Sequence, residues 1–333
     1  MAVAGTCGAA SAADVAVVAP TSGAFADLGR QVASAMERAL EDAAPAVRDS
    51  ACTAEGGAAA AAQAVANGAK LVIGFLCTES LQGALPVLKD HGVTVLTLNI
   101  RTDAVRHQAE RNAVALFHLT PPETGEAEAV ARLIPELWRE ANFAIVDDGT
   151  IGARDLALAL RRGAEERGLT PVYIDNFRPQ LENQVALVER LRKAGADHLF
   201  VGGDRSDIAV IARDAEARTL PLVIAGGETL RAADEEVPLP DGIVMVGLPE
   251  LGGDPMASGV PIVSRYYWRA LAAGEIAATL DMGGNLAAQL AGQTFETSLG
   301  PVSFDAGGYW TGEPYGLYVS QSGDFVPLTE DRQ

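Results

Sequence analysis

Residues 71–98 read LVIGFLCTESLQGALPVLKDHGVTVLTL, and their pattern sets the fold class. An apolar run, Leu71–Leu76, is broken only by Gly74 and ends in the polar stretch 77–80. A helical stretch from Ser80 to His91 follows, and Val93–Leu98, rich in β-branched and apolar residues, is predicted to be the next strand. A strand, a helix and a strand in this order predict a βαβ unit with parallel strands.

The same alternation extends in both directions from this stretch. Upstream, the sequence predicts a strand at Asp14–Ala19, a short strand from Ala46, and an alanine-rich helix at Gly56–Asn67. After Pro121-Pro122 the pattern restarts, with helices predicted at Gly125–Glu140, Gly152–Glu166, Asn183–Ala194, Asp207–Ala217 and Tyr266–Leu280, and strands at Phe143–Val146, Val172–Ile174, His198–Val201, Leu222–Ala225 and Gly242–Val246. The stretch 300–328 predicts antiparallel strands. The expected fold class is α/β, with two doubly wound parallel-sheet lobes and a cleft between them.

Composition excludes several classes of partner. The 333 residues are enough for two domains, and their formal charge is −19, which makes nucleic acid or an anionic membrane surface an unfavourable partner. No apolar run approaches the roughly 20 residues that span a bilayer. Residues 1–13 are interpreted either as the tail of a signal peptide, since Ala10-Ser11-Ala12 has the form of a cleavage site, or as a disordered leader.

Sequence motifs of common enzymes are missing. The chain contains no GxGxxG after its first strand, no P-loop, no GxSxG and no HExxH. Its four histidines are scattered without the spacing of metal ligands, and Asp147-Asp148-Gly149 is interpreted as an acidic turn at a strand end. We therefore expect no catalysis, no metal and no cofactor.

Polar loops follow the predicted strands, where open α/β sheets bind ligands. Because each loop precedes a helix, free N–H groups and hydroxyls there suit a carboxylate. For Ser22, Ser80 and Ser206, helix capping is favoured over ligand contact, whereas for Thr78 and Arg101 ligand contact is favoured. The loops are Thr21-Ser22-Gly23, Thr78-Glu79-Ser80, Asn99-Ile100-Arg101-Thr102, Gly149-Thr150-Ile151-Gly152, Gly202-Gly203-Asp204-Arg205 and Gly226-Gly227-Glu228.

Two of the three cysteines, Cys52 and Cys77, each follow a predicted strand and lie 25 positions apart. Spacing alone leaves two interpretations open, a disulfide or two separate buried thiols. A disulfide would stabilise the fold by roughly 3 kcal/mol in the chain-entropy model and would indicate a location outside the cytoplasm.

Six stretches, taken in order, resemble the type I periplasmic binding proteins of ABC transporters, specifically the branched-chain (Leu/Ile/Val) amino-acid receptor group. The resemblance extends from Asp14 to Leu328. The stretches are VAPTSGAFADLG, VIGFLCTESLQGALPVLKDHGV, AIVDDGTIGARDL, VERLRKAGADHLFVGGDRSDIAVIARDA, IAGGETL and GPVSFDAGGYWTGEPYGLYV.

The resemblance implies roles for individual residues of the first lobe. It implies a disulfide between Cys52 and Cys77, and it implies that Thr78 gives its hydroxyl and amide to a ligand carboxylate. The family's Ala and Thr after the fourth strand fall on Asn99 and Arg101, and a guanidinium can bind a carboxylate with two hydrogen bonds.

In the second lobe, the acidic residue that receives an ammonium group corresponds to Glu228, with a one-residue ambiguity against Gly227. Three family positions that carry aromatic residues fall on Leu28, Ile151 and the pair Asp204-Arg205, while the aromatic residue of the last helix is Tyr266 or Tyr267. These departures predict a more polar ligand than leucine or valine: a polar amino acid, a dicarboxylate or an aromatic acid.

The expected function is an extracytoplasmic solute-binding receptor that delivers a small carboxylate-bearing ligand to an ABC permease, without catalysis. The alternative is a ligand-sensing regulator of the same fold without a transport role. The resemblance implies Venus-flytrap closure and a monomer in the periplasm or its equivalent. The predicted lobes are 14–119 with 248–317 and 120–247 with 318–333, and the predicted hinges lie near Phe117–Pro121, Val246–Pro249 and Tyr315–Val319.

Overall fold

A computed structural model describes residues 14–41, 44–232, 236–249, 265–312 and 315–329 of the chain. The predicted leader, residues 1–13, lies outside the described residues. The chain divides into two units: the first comprises Met1–Glu123 and Glu250–Glu313, and the second comprises Thr124–Pro249 and Pro314–Gln333. Within the described ranges, no helix is both long enough and apolar enough to cross a membrane.

The first unit alternates strands and helices before the chain leaves it, and it gains two helices and a hairpin when the chain returns. Its elements are β1 (Val15–Ala19), α1 (Ala26–Leu40), β2 (Val47–Asp49), α2 (Ala54–Ala66), β3 (Leu71–Gly74), α3 (Thr78–Leu88), β4 (Thr94–Thr97), α4 (Asp103–Arg111), β5 (Ala115–His118), α9 (Arg265–Thr279), α10 (Leu286–Gly292), β11 (Phe295–Thr297) and β12 (Gly300–Val302). A short 3-10 helix, Gly23–Phe25, precedes α1.

The sheet of the first unit has the order β2-β1-β3-β4-β5, and all its pairs are parallel. From β1 the chain first adds β2 on one side and then β3 on the other, so the strand order reverses between β1 and β3. Helices cover both faces: α1, α9 and α10 pack on one, and α2, α3 and α4 on the other. This explains why every residue of β1, β3 and β4 is buried, on both faces of the sheet rather than on alternate positions.

Helices α2 and α3 approach each other closely because small residues form their interface. A Cβ added to Gly57 would lie 1.8 Å from the Ser80 carbonyl oxygen, and one added to Gly83 would lie 2.1 Å from that of Ala54. The alanines of α2 extend this flat surface, since Ala60, Ala61 and Ala64 are buried. The close packing fixes the position of the amino-terminal turn of α3, where the ligand contacts are predicted.

The second unit has a larger sheet with the order β14-β13-β10-β9-β8-β6-β7. Strands β6 to β10 pair in parallel, and β13 and β14 continue the sheet in antiparallel pairs. The elements are α5 (Thr124–Leu137), β6 (Phe143–Asp147), α6 (Ile151–Glu166), β7 (Tyr173–Asn176), α7 (Val185–Ala194), β8 (His198–Gly202), α8 (Arg205–Ala217), β9 (Val223–Gly226), a 3-10 helix (Glu228–Arg231), β10 (Val244–Gly247), β13 (Gly316–Gln321) and β14 (Asp324–Pro327).

The α/β class with parallel-sheet lobes is therefore confirmed, and some elements differ from the predictions. The sequence does not predict α4, β5 or α10, because each is too short to show a clear period; α4, for example, buries only Val105 and Ala109. The predicted boundary at 317/318 also differs from the observed pairing, because Gly316 already pairs with Gly247 in the sheet of the second unit.

Candidate ligand-binding site

The disulfide lies beside the point where the strand order of the first sheet reverses. Cys52 belongs to the turn after β2 and Cys77 precedes α3, and their sulfurs are bonded with the Cα atoms 5.3 Å apart. Ala51 and Cys52 have positive φ angles of 46° and 53°, so this turn is tight. The disulfide implied by the resemblance is confirmed, and it ties the turn after β2 to the residue that precedes Thr78.

Thr78 is the first residue of α3, and it is half-buried at the carboxyl end of β3. The residue before it, Cys77, offers no side-chain cap to the helix. Within the described ranges, no hydrogen bond engages the Thr78 hydroxyl. The first N–H groups of a helix have no intrahelical acceptor, so this turn carries open donors and a partial positive charge. Together they form a small anion site of the kind that binds a carboxylate.

Ser80, by contrast, faces the protein interior. It is fully buried, and its hydroxyl donates to the Cys77 carbonyl oxygen at 2.7 Å. It therefore neither caps α3 nor offers its hydroxyl to a ligand.

Ser22 differs from the predicted cap as well. Its hydroxyl donates to Asp49 Oδ2 at 2.6 Å, while the Thr21 amide donates to Asp49 Oδ1 at 2.8 Å. The hydrogen bond from Ser22 is the main reason why the pKa of Asp49 is below its usual value. Ser22 thus joins the loop after β1 to the end of β2 and does not cap the following 3-10 helix.

The loop after β4 lies next to the end of β3, because Gly74 and Thr97 are register partners. It carries Asn99 and Arg101, both half-buried, on either side of the buried Ile100. No hydrogen bond to the Asn99 side chain is found in the described part of the chain. The parallel register therefore brings Thr78, Asn99 and Arg101 to one edge of the first sheet.

Two residues with no predicted role in the site, His118 and Tyr309, support this loop from within the unit. His118 Nδ1 lies 2.7 Å from the Ile100 carbonyl oxygen, and the Tyr309 hydroxyl donates to the Arg101 carbonyl oxygen at 3.2 Å. Burial lowers the pKa of His118 to about 4 and raises the pKa of the Tyr309 hydroxyl to about 12. Both side chains are therefore neutral near pH 7. A histidine at the end of a short strand gives no signal of this role in sequence.

Leu28 and Tyr266 are half-buried and pack against the core of the first unit formed by α1, α9 and α10. The alternative aromatic residue, Tyr267, is almost completely buried in that core. Tyr266 is therefore the tyrosine of this helix that is not enclosed by the core.

In the second unit, the loop after β6 is held by its own side chains. Asp147 and Asp148 accept hydrogen bonds from the amides of Gly149 and Thr150, at 2.9 and 2.8 Å. Thr150 caps α6 by accepting from the Ala153 amide at 3.4 Å. Ile151, the first residue of α6, is 83% exposed, so this helix presents an apolar side chain where it begins.

Asp204 and Arg205 are adjacent in sequence but lie in different environments. Asp204 is the exposed residue before α8 and gives no side-chain cap, whereas Arg205 is buried and donates to the Leu230 carbonyl oxygen at 2.5 Å. Both residues line a pocket of about 700 Å³ in the second unit, between the start of α8, segment 180–182 and the residues Thr229, Ala232, Glu236 and Val237. The neighbouring Ser206 also lines this pocket.

Glu228 has partners for both carboxylate oxygens. Oε1 accepts from Arg231 Nε at 2.9 Å, and Oε2 accepts from the Leu248 amide at 2.8 Å. The Glu228 side chain is only 13% exposed, so these bonds lie in a largely desolvated environment. The Glu228 amide in turn donates to Glu126 Oε1 at 2.8 Å. An ammonium group would therefore have to share oxygens that already hold the 3-10 helix to the end of β10.

The site residues thus form two sets, one in each unit. The first unit holds Thr78, Asn99 and Arg101 at the edge of its sheet, and the second unit holds Asp204, Arg205 and Glu228 near the ends of β8 and β9. No group of three or more histidine, cysteine or carboxylate side chains that could hold a metal ion occurs in the described ranges.

Comparisons with known proteins agree with this architecture. The family profile described as "Periplasmic binding protein" matches residues 13–245. The Leu/Ile/Val/Thr-binding protein of Salmonella typhimurium is 26% identical over 347 residues, which cover 91% of this chain and 90% of that protein.

Two solved structures share the fold. The Desulfitobacterium hafniense ABC transporter substrate-binding protein, in complex with Leu, has a TM-score of 0.69 at 18% identity, with 94% of this chain and 99% of that chain covered. The Rhodopseudomonas palustris HaA2 solute-binding protein, in complex with p-hydroxybenzoic acid, has a TM-score of 0.64 at 13% identity, with 94% of each chain covered. The chain belongs to the periplasmic binding protein family, within its type I branched-chain amino-acid receptor group.

Proposed function

We propose that this protein is a solute-binding receptor of an ABC importer and that it binds a small carboxylate-bearing ligand. The observation that carries the proposal is the amino-terminal turn of α3. Its Thr78 hydroxyl is unused within the described ranges, its first N–H groups are open, and the Cys52–Cys77 disulfide precedes it. A carboxylate there would receive charge-assisted hydrogen bonds from a rigid turn.

Asn99 and Arg101 are the proposed neighbours of Thr78 in this site. They follow β4, which pairs with β3, so their loop and the start of α3 share one edge of the sheet. A guanidinium and an amide beside a carboxylate site favour ligands with a second polar group over a purely aliphatic side chain. In the first unit, Leu28 and Tyr266 are the proposed apolar contacts.

For the second unit we propose Ile151 and Asp204 as contacts, because both side chains are exposed where their helices begin. We also include Arg205 among the proposed site residues of the second unit, although its side chain is buried. The prediction that Glu228 receives an ammonium group stays a prediction, and it requires that group to share both occupied oxygens. This favours acids without an α-amino group as candidates, and one solved relative is in complex with p-hydroxybenzoic acid.

The permease partner, the monomeric state and the extracytoplasmic location are proposed together. The family and the Cys52–Cys77 disulfide support the location, because disulfides persist in oxidising compartments. Hinge closure through the three predicted segments stays a prediction. Alkylation of the protein in intact cells, with and without reduction, tests the location: Cys52 and Cys77 are expected to stay unmodified before reduction, and alkylation of both without reduction would contradict it.

The experiment that tests the function is isothermal titration calorimetry on protein that has been unfolded and refolded to remove any carried ligand. The panel contains leucine, polar amino acids, small dicarboxylates and hydroxybenzoic acids. We expect one acid to bind, and we expect Thr78→Val to raise its Kd roughly 30-fold, because a charged hydrogen bond is worth about 2 kcal/mol.

Thr170→Val is the matched control, because Thr170 is an exposed threonine of the second unit and the same change there leaves the proposed site intact. Binding that is equally strong in the Thr78→Val protein would contradict the proposed carboxylate site. No binding of any acid in the panel would contradict the proposed ligand class.

A further inference from the structure

We propose that His118 and Tyr309 are positioning residues that hold the loop after β4 in one conformation and so set the positions of Asn99 and Arg101. The inference rests on the proposed function, because it assigns a role within the same ligand site. Neither side chain needs to touch the ligand. Each binds a backbone carbonyl of the loop from inside the first unit.

The two contacts are made to consecutive peptide groups. His118 Nδ1 lies 2.7 Å from the Ile100 oxygen, and the Tyr309 hydroxyl lies 3.2 Å from the Arg101 oxygen. The rings stack on each other, with their centroids 4.3 Å apart and an angle of 16° between their planes. One stacked pair therefore restrains the two peptide groups that follow Ile100 and Arg101.

The proton on the imidazole has a defined position. A carbonyl oxygen can only accept, so Nδ1 must carry the hydrogen in the contact with Ile100. His118 Nε2 is buried and has no hydrogen-bond partner within the described ranges. The ring therefore has one donor, and that donor is directed at the loop.

The pair itself is fixed by backbone bonds from two distant segments of the chain. The His118 amide donates to the Gly308 oxygen at 2.8 Å, and the Trp310 amide donates to the His118 oxygen at 2.9 Å. Asp305 Oδ1 accepts from the Tyr309 amide at 2.9 Å. Gly308 has a φ angle of +79°, and an added Cβ would lie 2.5 Å from the Leu116 oxygen, so only glycine fits there.

The loop that His118 and Tyr309 restrain carries Asn99 and Arg101, so the restraint affects ligand affinity. A loop held by only its ends would lose conformational freedom when it binds a ligand, and that loss would weaken affinity. A loop fixed in advance avoids the loss. The pair is thus expected to increase affinity without contributing a ligand contact.

The test uses four single variants of the full chain. Tyr309→Phe removes one hydroxyl and keeps the stack, whereas His118→Leu removes the ring and its donor. His118→Asn returns an amide donor close to the position of Nδ1. Tyr173→Phe is the matched control, because the Tyr173 hydroxyl also makes a side-chain hydrogen bond, at 2.5 Å to Asp175, but in the second unit.

Two quantities are measured: the Kd of the best acid from the panel, and hydrogen–deuterium exchange of the peptide that covers residues 98–105 in ligand-free protein. We expect Tyr309→Phe to raise Kd about fivefold and His118→Leu at least about tenfold, with faster exchange in both. We expect His118→Asn to recover most of the affinity and Tyr173→Phe to match the wild type.

Other results would overturn the inference. Kd values within twofold of the wild type in both Tyr309→Phe and His118→Leu would overturn it. A Kd for His118→Asn as high as that for His118→Leu would also overturn it, because the volume of the side chain rather than its hydrogen-bond donor would then matter. If His118→Leu does not fold, Tyr309→Phe and His118→Asn decide the question.

Hydrogen–deuterium exchange distinguishes a failure of the proposed function from a failure of this inference. If the wild type binds no acid at all, the function is wrong, and exchange in residues 98–105 still decides the inference. Unchanged exchange in both Tyr309→Phe and His118→Leu would show that the pair does not restrain the loop.

Discussion

At the carboxyl end of β3 the Thr78 hydroxyl has no hydrogen-bond partner within the described ranges, whereas just beyond β9 Glu228 gives both carboxylate oxygens to its own unit. The two loops look alike in sequence, since each is a short polar stretch between a strand and a helix. Their difference arises from what holds each loop in place. A disulfide precedes Thr78, while hydrogen bonds of the side chain itself hold Glu228.

Most of the other polar residues at strand ends bind their own unit, in the first unit as well as in the second. In the second unit, Asp147, Asp148 and Thr150 all bind backbone amides of their own turn. In the first unit, Ser22 binds Asp49 and Ser80 binds Cys77, so these hydroxyls are also used internally. A polar residue at a strand end is therefore open to a ligand only where other groups stabilise the loop.

The largest expected effect comes from removing the disulfide. The double variant Cys52→Ser/Cys77→Ser should lower the free energy of unfolding by roughly 3 kcal/mol and weaken ligand affinity, because the residues before Thr78 lose their tether. Urea unfolding followed by tryptophan fluorescence measures the stability, and titration calorimetry measures the ligand affinity. Lower stability with unchanged affinity would show that the disulfide does not position Thr78.

A comparable loss of stability is expected in the second unit when Glu228 is removed. Glu228→Ala leaves Arg231, whose side chain is only 14% exposed, without the carboxylate of an ion pair 2.9 Å long. We expect a loss of about 3 kcal/mol in unfolding free energy. Glu189→Ala is a suitable control, because Glu189 forms a more exposed pair with Arg218. If Glu228→Ala abolished binding while stability was unchanged, Glu228 would be a ligand contact and the contrast between the units would be wrong.

The low pKa of His118 predicts that the protein loses stability in acid, and this loss arises in the first unit. Burial lowers its pKa from 6.5 to about 4, although the bond to Ile100 opposes this shift. The folded pKa lies below the unfolded one, so the unfolded chain binds more protons between these values. The contribution of neutral His118 to the free energy of unfolding is therefore fully present above about pH 6.5 and is lost as the pH falls towards 4, with about 2 kcal/mol lost by pH 5.

Urea unfolding at pH 7.5 and pH 5 checks this expectation in the wild type and in His118→Asn, which cannot titrate. The wild type should lose about 2 kcal/mol more than the variant over this interval. Equal losses in the two proteins would mean that His118 is not buried in its neutral form.

The smallest expected effect comes from the cap of α6. Thr150→Ala removes an acceptor for the Ala153 amide, and at a distance of 3.4 Å the loss of unfolding free energy should be below about 1 kcal/mol. Ligand affinity should not change, because the Thr150 side chain is used by its own helix. A large change in affinity, measured by calorimetry, would show that this loop is as open as the one at Thr78.

Much of the fold follows from local pattern. The apolar runs at β1, β3, β4, β6 and β8 are buried on both faces, so they predict parallel strands without any alternation of polar residues. The helices α4 and α10 and the strand β5 could not be predicted in the same way. Each has fewer than ten residues, and packing against the rest of the unit determines its structure.

The candidate site, like the fold, can be predicted only in part from the sequence. The cysteines and the polar strand ends are visible in sequence, and the family resemblance implies their roles. Sequence does not reveal that Ser22 binds Asp49, that Glu228 binds Arg231 and Leu248, or that Arg205 is buried. These outcomes depend on which backbone donors and acceptors come within reach after the strands pair.

The sequence by itself thus determined the α/β class, the strand ends where a ligand is proposed to bind, and two cysteines placed at one sheet edge. Hydrophobic runs and turn residues carry that information because they act over a few neighbouring residues. Only the tertiary structure decided which polar groups stay open and which are used internally. His118 and Tyr309, 191 positions apart in the chain, meet beneath one loop because the sheet and the returning segment bring them together, and no local pattern encodes such a contact.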